Sequence, residues 1–294
     1  GEALPVIVER SPVPIIADIH YSPDLACMAL EAGVDKLRLN PGNITEEEAI
    51  ADIAREAKSR TIPIRVGVNS GSLDKDIIEE YGRTAKAMVV SAEKEIGLLE
   101  AQGFEDIVVS LKSSEVNITV RANEMFSAKY DYPLHLGVTE AGGGRIGLVK
   151  SSVGIGSLLQ EGIGDTIRVS LTADPCEEVG AAYDILKSLG IRNRGMDLVS
   201  CPTCGRTKIN VQSIGKQLEE RLADLEEPIR VALMGCSVNG IGEAGSSHIG
   251  IVGTKKGGVL YIDGEQEELI SSSSTETVVE SLEERIRCYL RNRE

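Results

Sequence analysis

Residues 14–40, PIIADIHYSPDLACMALEAGVDKLRLN, hold two short β-branched runs, PIIADI (14–19) and DKLRLN (35–40). Between them lies DLACMALEAG (24–33), with apolar residues at i, i+3 and i+4. Strand, helix, strand is the unit of a parallel sheet, because a parallel neighbour is reached only by a crossover. The unit repeats outward through PIRVGV (63–68), DIVVSLK (106–112), LHLGVTE (134–140) and TIRVSL (166–171), with helix-period segments such as EEVGAAYDILKSLG (177–190). With no long interruption, the alternation predicts an α/β chain with a (β/α)8 TIM-type barrel rather than a doubly wound sheet. Only six strands are legible, and GEALPVIVERSPVP (1–14) reads as the tail of a helix entering a strand. The six are therefore expected to be strands 3 to 8 of a barrel lacking its first two βα units, since an open barrel edge in water templates aggregation.

After Gly195 the pattern changes. MDLVSC (196–201) and IRVALMG (229–235) flank a charged helix candidate over 211–225, followed by HIGIVG, GVLYIDG and an amphipathic helix from about Thr275. Two domains are expected, a barrel over 1–190 and a smaller α+β module over 196–294.

The net charge is −15, with seven Tyr, two Phe and no Trp. A nucleic-acid binder needs a basic face and stacking platforms, so that class is disfavoured. No apolar run approaches the ~20 residues of a membrane span and no signal-peptide pattern opens the chain, which makes the cytoplasm the default compartment.

Against that acidity, the cations at the strand ends stand out. The first strand carries Asp18 and His20, the second Arg38 and Asn40, the third Arg65 with Asn69, then Lys112, Glu140, and Arg168 with Ser170. In a parallel barrel all C-terminal strand ends converge on one face, and a spacing of two keeps both side chains on that face. Arg38, Arg65, Lys112 and Arg168 gathered in one mouth repel one another unless an anion joins them. Guanidinium forks and a compact ammonium suit a diphosphate; the bland alternative is that some of them pair with carboxylates in a structural network. Glu140 is a carboxylate at a strand end among these cations, a candidate acid or base. His20 is either a ligand contact or a satisfied hydrogen-bonding residue. The glycines of AGGGRIG (141–147), GIGS (154–157) and EGIGD (161–165) suit close backbone approach to phosphate, though glycine is routine at βα turns.

Cys201-Pro-Thr-Cys204 presents two thiols from one turn, and Cys236 follows a strand-like run with Glu243 seven residues on. Three thiolates suit an iron–sulfur cluster or zinc. No fourth Cys stands nearby, and Glu243 is a weak, displaceable fourth donor. Cys27, Cys176 and Cys288 lie in helical patterns and are expected to pack as small hydrophobes.

The strings ADIH (17–20), DKLRLNPGN (35–43), PIRVGVNSGSL (63–73), LHLGVTEAGGG (134–144), GIGDTIRVSL (162–171), SCPTCGR (200–206) and MGC-x-VNG-x-GEA (234–244) run in order through the chain. Together they resemble the bacterial 4-hydroxy-3-methylbut-2-en-1-yl diphosphate synthase family. The resemblance implies reductive ring opening and dehydration of 2-C-methyl-D-erythritol 2,4-cyclodiphosphate in the methylerythritol phosphate route to isoprenoids, with flavodoxin or ferredoxin as electron donor. It implies a [4Fe-4S] cluster on Cys201, Cys204, Cys236 and Glu243. Arg38, Asn40, Arg65, Asn69, Lys112, Arg168 and Ser170 match residues that hold the substrate diphosphate, and Glu140 the proposed proton donor. It further implies a homodimer in which one subunit's cluster domain caps the other's barrel. Ile241 stands where the family usually has Pro, in what is expected to be a loop. The rival readings are a zinc-containing phosphometabolite-binding barrel and an aldolase-type barrel enzyme.

Overall fold

The computed structural model describes residues 1–40, 44, 46–271 and 274–293; the PGN of DKLRLNPGN (41–43) lies outside them. The chain divides into two compact units, Gly1–Leu189 and Gly190–Glu294. Among the described residues no helix is long and apolar enough to cross a membrane.

The first unit alternates as the sequence predicts. Helix α1 (Leu4–Arg10) leads to β1 (Ile16–Ile19), α2 (Pro23–Glu31), β2 (Lys36–Leu39), α3 (Glu47–Arg60) and β3 (Ile64–Asn69). A short 3-10 turn and α4 (Lys75–Tyr81) precede α5 (Ala85–Ala101), β4 (Ile107–Lys112), α6 (Val116–Ser127), β5 (His135–Leu136), α7 (Gly144–Gln160), β6 (Thr166–Ile167) and α8 (Pro175–Ser188). Local chemistry sets several boundaries. The Ser22 hydroxyl accepts the Leu25 N–H ahead of Pro23 to cap α2, and Asp174 caps α8 through Cys176 N–H ahead of Pro175; in both, Pro at the first helical position loses no internal bond. Gly33, at φ +77°, takes the left-handed conformation that ends α2.

Strands β1-β2-β3-β4 form a parallel sheet in sequence order. A single parallel bridge, Val109 to Leu134, leads on to β5, which pairs with β6. Closure into a barrel is not seen in the strand pairing among the described residues, and LHLGVTE and TIRVSL contribute only two ladder residues each. One face of the sheet is apolar. Leu37, Leu39, Ile64, Val66, Ile107, Val109 and Leu111 join Leu30, Ile53, Met88, Leu99 and Phe126 from the helices in one core, where each large side chain contributes about 1.5–3 kcal/mol on burial.

In the second unit β7 (Met196–Ser200), α9 (Val211–Arg221), β8 (Ile229–Met234), α10 (Ser237–Gly245), β9 (Ile249–Thr254), β10 (Gly257–Ile262), β11 (Glu265–Ile270) and α11 (Thr275–Arg291) build a sheet in the order β11-β10-β9-β8-β7. The strands β7, β8 and β9 run parallel, and β10 and β11 antiparallel. Helices α9 and α11 cover one face through Ile214, Leu218, Val278, Leu282 and Ile286; Ala244 of α10 packs on Val252 and Tyr261.

Three expectations need correction. Cys176 is exposed rather than packed, because it falls in the first turn of α8, on the solvent side of its cap. The GIGS stretch is not a phosphate-facing loop but the interior of α7, where Gly154 makes room for Val138. Ile241 lies within α10, not in a loop; without the proline's missing N–H the helix runs on from Ser237.

Candidate functional site

The chemistry of the first unit lies on the sheet face opposite the apolar core. Asp18 is in register with Arg38, and Arg38 with Arg65; Gly67 is in register with Ser110 and Asn69 with Lys112. Side chains two apart share a face, so Asp18, Arg38, Arg65, Asn69 and Lys112 stand on one polar surface. Arg38 is buried to 5% exposure and Lys112 to 7%, an unusual place for charge in a parallel sheet.

Arg38 is anchored from three sides. One terminal nitrogen donates to Asp18 Oδ1 at 2.7 Å and lies 3.0 Å from His20 Nε2, while the other donates to the Gly67 carbonyl at 2.7 Å. Gly67 is required for this path, since a β-carbon there would overlap Arg38 Nε. Asn40 donates to Ser72 Oγ at 2.9 Å. Lys112 crosses Gly137, its Cε and Nζ each 3.2 Å from where a β-carbon would stand.

Among the described residues Arg65, Lys112 and Arg168 make no ion pair, and Arg65 Nε is buried without a hydrogen-bond partner. Burial, Arg38 and Arg168 pull the Arg65 guanidinium down to about 10. Burial, then Arg65, Arg168 and Arg38, pull the Lys112 amine down to about 7. Desolvation and like charge both penalise the cationic form, as expected of cations gathered on one face of the sheet. Among the described residues the bland alternative of a structural ion-pair network holds for Arg38, through Asp18.

His135 was not singled out from the sequence. Its Nδ1 lies 2.8 Å from Thr166 Oγ1, and its Nε2 is buried without a hydrogen-bond partner among the described residues. Burial, then Lys112, Arg65, Lys36 and Arg168, hold it neutral at about 2. The signal was its position two residues before Gly137, the parity of the polar face; reading only strand ends passed over it. Of the remaining candidates, Asn69 and Ser170 are half-buried and Arg168 is exposed. Glu140 is exposed in the turn after β5 at φ +48°, a conformation that strains a side-chain-bearing residue.

In the second unit the cysteines gather at the C-terminal edge of two adjacent parallel strands. Cys201 follows β7 directly and its N–H donates to Leu233 O at 3.4 Å; Cys236 is the N-cap of α10, just after β8. Gly235 N–H donates to Cys201 Sγ at 3.2 Å. Cys204 is tied by mutual bonds with Thr207, and Lys208 N–H reaches Gly235 O at 2.8 Å. The Arg206 backbone N–H, its charge and the Thr207 hydroxyl draw the Cys204 thiol down. Sulfurs that accept N–H bonds beside a cation are those most readily held as thiolates, so the donor set fits a metal centre. Glu243 lies seven residues along α10, about 10 Å of helix rise and on nearly the same helical face as Cys236. Its side chain leans back toward the N-terminus, where Cys236 stands. No three His, Cys, Asp or Glu side chains among the described residues converge on a single ion.

The family model described as GcpE TIM-barrel domain matches residues 1–183, and that described as GcpE protein C-terminal domain matches residues 197–288. A relative from Thermodesulfovibrio yellowstonii, named 4-hydroxy-3-methylbut-2-en-1-yl diphosphate synthase (flavodoxin), is 50% identical over 288 residues, 98% of this chain and 82% of its own. Relatives of the same name from a Hydrogenobaculum species (50% over 290 residues, 98% of this chain and 81% of its own) and from Clostridium tetani (48% over 287 residues, 97% and 81%) match to the same extent.

Proposed function

The chain belongs to the GcpE family, and from that premise we infer that it is a 4-hydroxy-3-methylbut-2-en-1-yl diphosphate synthase, an oxidoreductase of the methylerythritol phosphate pathway that takes electrons from flavodoxin. Its substrate is 2-C-methyl-D-erythritol 2,4-cyclodiphosphate. The reaction consumes two electrons, breaks a ring C–O bond and expels a hydroxyl as water.

We propose that the first unit is a (β/α)8-type substrate domain and the second the cluster domain. The observation that carries the substrate assignment is the set of mutually repelling cations on the sheet's polar face. Arg65 and Lys112 are buried, without a counterion among the described residues, and depressed in pKa. A diphosphate supplies the missing charge. Arg38, held by Asp18 and Gly67, presents a fixed fork; Arg65 and Arg168 add two more, and Lys112 adds a donor at the floor. Asn40, Asn69 and Ser170 orient the oxygens, with Asp18 and His20 fixing Arg38. Glu140 donates the proton that lets the hydroxyl depart.

Cys201, Cys204, Cys236 and Glu243 would hold a [4Fe-4S] cluster, which when bound supplies single electrons to the reductive step. The chain's own contribution there is to ease ionisation of the Cys204 thiol through Arg206 and Thr207, to hold Cys201 Sγ with the Gly235 N–H, and to offer a carboxylate that dissociates more easily than a thiolate. We further propose that the working form is a cytoplasmic homodimer in which one subunit's cluster domain caps its partner's substrate site.

Removing one buried cation tests the substrate assignment. Arg65→Met keeps the volume and removes a charge that lacks a counterion among the described residues. It should leave the melting temperature unchanged or higher, yet weaken binding of the cyclodiphosphate about 10- to 100-fold, the loss of charged hydrogen bonds worth about 1.5–3 kcal/mol. Unchanged affinity in calorimetric titration would contradict the assignment.

A further inference from the structure

We propose that Lys112 takes up a proton when the diphosphate binds, so that occupation of the polar face and charging of this one amine are a single coupled event. The inference rests on the reading of that face as the diphosphate site.

Lys112 ends β4 and lies across Gly137, 7% exposed. Titratable groups from across the polar face act on it: Arg65 from the adjacent β3, Arg38 and Asp18 from β2 and β1 beyond it, His135 from β5, and Arg168 just beyond β6. Asp18 is the one carboxylate of that set, and it is engaged by Arg38 at 2.7 Å. A charged Lys112 in the free protein thus meets three guanidinium groups and little water. The guanidinium groups cannot relieve that repulsion, because arginine does not lose its proton in proteins. His135 is already neutral, held at about 2 by burial and by the same cations. The amine is the group able to yield, and burial with Arg65, Arg168 and Arg38 brings it down to about 7.

A bound diphosphate reverses each of these influences except burial, so the amine returns to its charged form. The cyclodiphosphate has one strongly acidic oxygen on each phosphorus and does not itself titrate near neutrality. Any proton taken up on binding therefore belongs to the protein.

Isothermal titration of 2-C-methyl-D-erythritol 2,4-cyclodiphosphate into the anaerobic full chain, in buffers of different ionisation enthalpy, counts that proton. With a free-state value near 7, uptake should be about 0.1 per site at pH 6, about 0.5 at pH 7 and about 0.9 at pH 8, and affinity should fall about tenfold from pH 8 to pH 9. Lys112→Arg, which stays charged throughout, should bind without uptake. Binding with no uptake across this range overturns the proposal and leaves the diphosphate reading standing, as does uptake that survives in Lys112→Arg. Should that variant fail to fold, the wild-type pH series decides alone: a rise centred near pH 7 supports the proposal, and a flat line ends it. Failure of the wild-type chain to bind the cyclodiphosphate at any of these pH values overturns both.

Discussion

Glu140 stands at φ +48°, a left-handed conformation that costs a residue with a β-carbon about 1–2 kcal/mol. Such strain persists where the surroundings impose it and is frequent at reacting groups. Thr139 N–H donates to Ser113 O at 3.2 Å immediately before it, and Gly142 follows at φ +99°, so the turn is fixed on both sides. Glu140→Gly should relieve the strain and raise stability by up to about 1 kcal/mol, while Glu140→Gln should not. Both should lower turnover at least about 100-fold with a smaller change in KM, as loss of a proton donor requires. Full turnover in either variant would remove Glu140 from the proton path. At this scale the sequence was informative about residue type but not about placement: Arg38, Arg65 and Lys112 were legible as strand-end cations, whereas Arg65 stands second in β3 and the burial of His135 depends on its tertiary surroundings.

At the scale of elements, spacing was read well where β-branched runs were bounded by turns. The runs beginning at Pro14, Asp35, Pro63 and Asp106 all became ladder strands. It was read less well where backbone pairing, not side-chain pattern, decides. β5 and β6 keep two residues each, although their sequences look as strand-like as the others. β11 was missed because Glu265–Ile270 reads EQEELI, with only Ile270 buried; an edge strand of this kind is held by its hairpin partner β10, and its charge guards an exposed edge. The cysteine edge of the second unit depends on one close approach. A β-carbon on Gly253 would stand 2.5 Å from the Gly235 carbonyl oxygen, and Gly235 N–H holds Cys201 Sγ while its carbonyl receives Lys208 N–H. Gly253→Ala should therefore give a folded chain with iron and acid-labile sulfide reduced to less than half of the wild-type content after anaerobic reconstitution. Wild-type loading would show that the Gly235 turn does not position the sulfurs.

Over the whole molecule, a net charge of −15 coexists with a buried surface on which cations prevail. The two facts are compatible because the cations belong to one sheet face and the carboxylates are mostly solvated. Parallel pairing brings residues from distant parts of the chain onto that face, Asp18, Arg38 and Arg65 in register and Lys112 further along it, opposite Asn69. The second unit repeats the device on a smaller scale, using the ends of β7 and β8 to bring Cys201 and Cys236 to one edge. Barrel closure was not legible in the sequence, because it depends on which strands meet at the edges and not on the content of any one strand. Anaerobic turnover joins both halves of the account. The reconstituted chain, supplied with 2-C-methyl-D-erythritol 2,4-cyclodiphosphate and reduced flavodoxin, should form 4-hydroxy-3-methylbut-2-enyl diphosphate, and Cys236→Ser should abolish that product while leaving cyclodiphosphate affinity within about twofold. A wild-type chain with its full complement of iron and sulfide that binds the cyclodiphosphate yet forms no product, or a Cys236→Ser chain that still forms it, would contradict the account.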